Sequence, residues 1–130
     1  MSTRFIFISL SIMLLLGIPN VESVKEIQNL LDKTTVNTKG LTKKMKFKIA
    51  LALMTDILQD KAPIYISKAA LAVEPNLPEQ EVALAATPAK VTARAALTQF
   101  VGQVAGGKAA FVVRQGYIEI TTAAIAKKAK

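Results

Sequence analysis

The sequence predicts an α+β domain of order β-α-β-β-α-β-β, a small mixed sheet with two helices packed on one face. Three observations predict it. The stretch Ala110 to Thr122 reads AFVVRQGYIEITT, two alternating runs about Gln115-Gly116, and a two-residue loop with Gly in second position is a hairpin pattern because that position needs a positive φ. Two upstream segments switch to a period of 3.6, each with an apolar stripe wide enough to lie on a sheet. Short β-branched runs separate them.

The hairpin fixes its own register. With Arg114 opposite Tyr117, Val113 faces Ile118, Val112 faces Glu119 and Phe111 faces Ile120. Phe111, Val113, Ile118 and Ile120 then share a greasy side, and Val112, Arg114, Tyr117 and Glu119 share a mostly polar one. Burying the four apolar side chains contributes roughly 6 to 12 kcal/mol at about 1.5 to 3 each, an upper figure because unfolded chains are already partly collapsed. A lone hairpin could not hold that face in water, so upstream elements must cover it.

Residues 1–23 read as a secretory signal peptide. Arg4 supplies a positive start, Phe5 to Leu16 is apolar apart from Ser9 and Ser11, and Val21-Glu22-Ser23 suits a cleavage site after Ser23. Gly17 and Pro19 limit the apolar run to about 14 residues, short of the roughly 20 that span a bilayer, which disfavours an uncleaved anchor. The remainder, 24–130, suits one domain with its core at about 34–122 and a basic tail at 123–130.

Val24 to Asp32 places Ile27, Leu30 and Leu31 at helical spacing and predicts a short leading helix or turn. Lys33 to Thr38 is β-branched, ends at Lys39-Gly40, and predicts a polar edge strand. Leu41 to Met45 reads as a linker. From Lys46 to Gln59 a helix is predicted, its stripe formed by Phe47, Ala50, Leu51, Met54, Ile57 and Leu58, with Met45 and Met54 as gap-fillers. Pro63 then starts the strand Ile64 to Ser67, with Ile64 and Ile66 inward. Lys68 to Leu71 suits one helical turn, Glu74 to Gln80 a Pro-stiffened loop, and Glu81 to Ala85 a third strand. A second helix is predicted at about Val91 to Ala105, buried through Leu97, Phe100, Val101 and Val104 and stopped by Gly106-Gly107. Ala123 to Lys130 reads as a frayed helix or basic tail.

The pattern Met45-x-Phe47-x-x-Ala50-Leu51, the IYIS strand, the run Val91-x-x-x-Ala95-Ala96-Leu97 and above all FVVRQGYIEITT resemble the short N-terminal domain of secretins and TonB-dependent receptors. More closely, the chain looks like exported bacterial proteins built from copies of that domain, whose last hairpin typically reads Tyr/Phe-Val-Val/Ile-Arg-x-Gly/Asp-x-Ile-x-Ile-Thr-Thr. The resemblance spans about Thr34 to Thr122. Two features depart from it: no barrel, ring or second domain follows, and Ala72 to Gln80 is longer and richer in Pro than a direct strand connection. The resemblance implies a non-enzymatic interaction or signalling module of the bacterial envelope, exported to the periplasm or beyond, that meets a protein partner by surface contact or strand addition.

The chain has no His, Cys or Trp, which removes Ser-His and Cys-His nucleophile pairs, disulfides, thiolate sites and His-based zinc sites; no cofactor is expected. Asp56 and Asp60 at i, i+4 read as a solvated face, and Ser67-Lys68 as neighbours pointing to opposite sides of a strand. The candidate contacts are surfaces: Lys43, Lys44, Lys46 and Lys48, which oppose the dipole at the start of the first long helix, and Arg114 and Tyr117 on the polar side of the hairpin. A net charge of +8 is unchanged on losing the leader, which carries one Arg and one Glu. It favours acidic partners and gives the alternative reading, a small basic protein binding anionic envelope polymers or lipid head groups through Lys43 to Lys48 and Lys127, Lys128 and Lys130. Nucleic acid is disfavoured outside the cytoplasm.

Overall fold

Ser23 caps the first helix with a reciprocal pair of bonds. Its Oγ accepts from Glu26 N at 3.1 Å and its own N donates to Glu26 Oε1 at 2.9 Å, which satisfies two end groups of α1 (Val24–Lys33) at once. The structure, a computed structural model, describes residues 23–128; residues 1–22 of the predicted leader and the last two residues of the tail lie outside the described residues. Ile27 and Leu31, one turn apart, are the buried residues of α1.

The fold is α+β. After α1 come β1 (Thr35–Asn37), β2 (Met45–Lys46), α2 (Phe47–Ile57), β3 (Ile64–Ile66), α3 (Lys68–Val73), a 3-10 turn (Leu77–Glu79) and β4 (Glu81–Val82). Then follow β5 (Lys90–Thr92), α4 (Ala93–Val101), a tight turn (Ala105–Gly107), β6 (Ala109–Arg114), β7 (Tyr117–Thr122) and α5 (Ala123–Lys128). The mixed sheet has the order β3-β7-β6, β3 parallel and β6 antiparallel to β7. The hairpin has the register read from sequence, Arg114 on Tyr117 through to Phe111 on Ile120, and Gly116 takes a φ of 87°. Ile118 and Ile120 are fully buried and α2 and α4 both pack against this sheet, with Phe111 and Val113 partly buried beside them.

The other strands form two separate short ladders, β1 with β5 and β2 with β4. β2 falls where a linker was expected, and the residues expected to begin the second helix are β5, which pairs Val91 with Val36. The helix starts only after Thr92, whose side chain accepts from Ala95 N at 3.1 Å and so caps it. It ends at Val101, ahead of Gly106-Gly107, and α2 likewise ends at Ile57. The glycine pair instead belongs to a left-handed turn with Ala105, whose φ values are 54°, 62° and 82° in order.

The third predicted strand is cut short after Val82 because glutamine side chains take its backbone. Gln103 bonds both the N and the O of Ala83, and Gln99 Oε1 accepts from Ala85 N at 3.0 Å. Gln80 does the same service for the left-handed turn, accepting from Ala105 N at 2.8 Å. On this exposed side of the chain, side-chain amides take backbone groups that a neighbouring strand would bond. Arg94 ties α4 to α1: its Nε donates to Asp32 Oδ1 at 2.6 Å, and a terminal nitrogen reaches the side chain and the carbonyl of Gln28.

Candidate partner-binding surfaces

The basic cluster divides into two parts. Pairing of Lys46 with Glu81 brings β2 beside β4, and Phe47 N donates to Gln80 O at 2.7 Å, so the start of α2 lies against the 3-10 turn. That turn carries Glu79. Lys46 Nζ and Lys48 Nζ each lie 2.8 Å from one oxygen of the Glu79 carboxylate. The hydrogen bonds from Lys46 and then Lys48 hold Glu79 down at about 2, from the usual 4.5, and Glu79 in turn raises Lys46. The carboxylate also puts a negative charge near a helix start that four cations would otherwise oppose. Lys43 and Lys44 are exposed and have no ionic partner among the described residues. Of the tail cations, Lys127 is exposed on α5 and Lys130 lies outside the described residues.

The polar side of the hairpin is more ordered than an ordinary solvated face. Arg114 Nε donates to Glu119 Oε1 at 2.9 Å, and the Glu119 side chain is only 19 % exposed. Tyr117 lies with its ring 5.9 Å from that of Tyr65, the planes tilted by 58°. Tyr65 is 59 % exposed and projects from β3, where the register sets it level with Glu119. The IYIS alternation already pointed Tyr65 outward, but its pairing with Tyr117 needs the parallel register of β3 on β7, which no local pattern encodes.

The edge of this sheet is the other surface. In an antiparallel ladder opposed pairs alternate between exchanging both backbone bonds and exchanging none. A two-residue loop makes Arg114 and Tyr117 a bonded pair, so Val112 and Ala110 also bond across to β7; Ala123 N donates to Lys108 O at 2.8 Å, continuing the same parity. Ala109, Phe111 and Val113 therefore direct their N–H and C=O away from β7. Among the described residues no group bonds them. α1 and α4 both touch β6, and no strand flanks it on that side.

No family model matches this chain, and neither a curated protein nor a solved structure is found similar to it. The function has to be argued from these surfaces.

The carboxylate pair and the Ser-Lys pair form no catalytic grouping. Asp56 is exposed on α2, while Asp60 lies beyond the helix end with a φ of 60°, so the two are not stacked on one helical face. Ser67 caps α3, accepting from Ala70 N at 3.0 Å, and its Oγ lies 3.4 Å from Thr121 Oγ1. A half-open cavity of about 530 Å³ lies between the end of α3, the left-handed turn and α5, lined by Val73, Ala105, Ala123 and Ile125 with Glu74 and Lys108. Among the described residues no three His, Cys, Asp or Glu side chains are grouped to hold a metal, and no helix is long and apolar enough to cross a membrane.

Proposed function

We propose that this chain is an exported, non-enzymatic interaction or signalling module of the bacterial envelope, of the kind represented by the short N-terminal domain of secretins and TonB-dependent receptors, and that it takes a protein partner by strand addition. The observation that carries this reading is the outer edge of β6, where Ala109, Phe111 and Val113 offer alternating donors and acceptors that nothing else among the described residues uses. Such an edge is a template for an incoming strand, and main-chain bonds supply the affinity. The non-enzymatic part rests on a sequence without His or Cys. The split of the basic cluster favours this reading over binding of anionic polymers or lipids, because Glu79 already pairs with Lys46 and Lys48 and offsets one of their two charges.

Capture from an envelope extract tests it. Val113→Pro removes an outward N–H and no bond to β7, since Pro is tolerated on an edge strand. The expected result is a partner retained by the wild-type chain at physiological salt and lost on Val113→Pro, with the far-UV circular dichroism unchanged. A partner held by Val113→Pro but released steeply by salt would transfer the argument to Lys43, Lys44 and the tail, because exposed charge pairs are screened over roughly 8 Å at physiological ionic strength.

A further inference from the structure

Beyond exposing an edge, β6 carries a cation at each end, and both have unused donors. Lys108, just before the strand, is exposed and its ammonium has no ionic partner among the described residues. Arg114, the last residue of the strand, spends only its Nε–H on Glu119; among the described residues its two terminal amino groups make no bond. A guanidinium is a fork with five donors, so a second carboxylate can approach it without displacing the first.

We infer that the strand that docks on β6 is acidic at both ends, with carboxylates placed to meet Arg114 and Lys108, and that it is not a second copy of this chain. The inference rests on the edge-addition reading above. An antiparallel occupant that fills the outward groups of Ala109, Phe111 and Val113 brings one of its ends beside Arg114 and the other beside Lys108. Arg114 closes the extended strand Ala109–Arg114, and Lys108 stands one residue before it, at the end of the turn, with φ -94° and ψ -4°. The side chains between them on the polar face are Ala110 and Val112, which suit β-branched or small neighbours on the incoming strand. Opposite charges across a ladder stabilise it, and like charges directly opposite destabilise it.

The same geometry argues against self-association. Two copies of β6 overlap most fully about a two-fold axis at Phe111, and that register brings the Lys108 end of each copy beside the Arg114 end of the other. Sliding the copies by two residues relieves the repulsion only by losing hydrogen bonds at the ends. A net charge of +8 on each chain opposes approach as well.

Synthetic strands of about seven residues test this, with the purified full chain as the receptor. One carries Thr and Val in alternation between terminal Glu residues, and the other is identical but for terminal Lys. Amide hydrogen exchange at Ala109, Phe111 and Val113 reports docking, and titration at low salt gives the affinities. The Glu-ended strand is expected to slow exchange at these three amides and to bind about five-fold tighter than the Lys-ended one, a preference that Lys108→Glu reduces or inverts. Sedimentation of the chain alone should show a monomer. Equal protection by both strands would overturn the acidic-ended occupant while leaving edge addition standing. Protection by neither, the result expected if α1 screens the edge, would overturn both. A dimer that disappears on Val113→Pro would replace the foreign strand by a second copy.

Discussion

Gln103 holds Ala83 by both of its backbone groups: Nε2 donates to Ala83 O at 2.7 Å and Oε1 accepts from Ala83 N at 3.0 Å. A side-chain amide here presents the same donor and acceptor pair that a neighbouring strand would. Gln103→Leu keeps bulk and loses both bonds, and because water can reach the freed groups it is expected to cost about 0.5 to 1.5 kcal/mol in urea unfolding. Gln103→Glu retains the acceptor but sets a carboxylate against Ala83 O at neutral pH. Its deficit should shrink as the pH falls and the carboxyl gains a proton to donate, whereas a Gln103→Leu deficit should not move.

The buried and exposed sides of the hairpin should respond unequally. Ile120→Ala empties a fully buried site and is expected to cost about 2 to 5 kcal/mol, while Glu119→Ala loses one partly exposed ion pair with Arg114 and should cost no more than about 1 kcal/mol. Gly116→Val forces a β-branched residue to a φ of 87° and should also destabilise. Urea midpoints of the three variants decide the matter; comparable losses for Glu119→Ala and Ile120→Ala would refute the two-sided hairpin.

The Glu79 pair gives stability a defined pH dependence. Its folded value of about 2 lies below the usual 4.5, so the native state favours the carboxylate and the contribution is complete above pH 4.5. It is lost as the pH falls from 4.5 through 2. Wild type and Glu79→Gln should therefore differ most near neutrality and converge below pH 2, and a carboxyl titration of Glu79 followed by NMR should report the low value directly.

Thr38 tests a single hydroxyl. It is 1 % exposed, its Oγ1 lies within 3.1 to 3.4 Å of the carbonyls of Ala86, Pro88 and Ala89, and its N donates to Ala89 O at 2.9 Å. Thr38→Val preserves shape and removes the donor facing those oxygens, for an expected loss of about 1 to 3 kcal/mol. Thr38→Ser should recover much of it in the same melt.

What could be read in advance follows from the range over which each interaction acts. The hairpin register, the stripes of α2 and α4 and the outward Tyr65 come from local alternation or periodicity, and these were legible. Strands as short as Met45–Lys46 and Lys90–Thr92 carry no period to detect, and by its spacing Val91 reads as part of the helix that follows it although Thr92 is a good capping residue. At the candidate surfaces, Arg114 and Tyr117 were identified from the hairpin alone. Glu79 was not, because it reaches Lys46 and Lys48 across more than thirty residues of chain, and a charge cluster read along the sequence shows its cations without the carboxylate that folding delivers.

The reciprocal bonds between Ser23 and Glu26 bear on the proposed cleavage. A peptidase that cuts after Ser23 removes the capping hydroxyl and leaves a new α-ammonium at Val24, a positive charge at the positive end of α1. Loss of such a cap is typically worth about 0.5 to 2 kcal/mol, and α1 is what Arg94 fastens to α4. A cut even one bond earlier would keep the hydroxyl. In a chain processed as proposed, the position of the scissile bond would thus also decide how firmly the first helix is held against the rest of the domain.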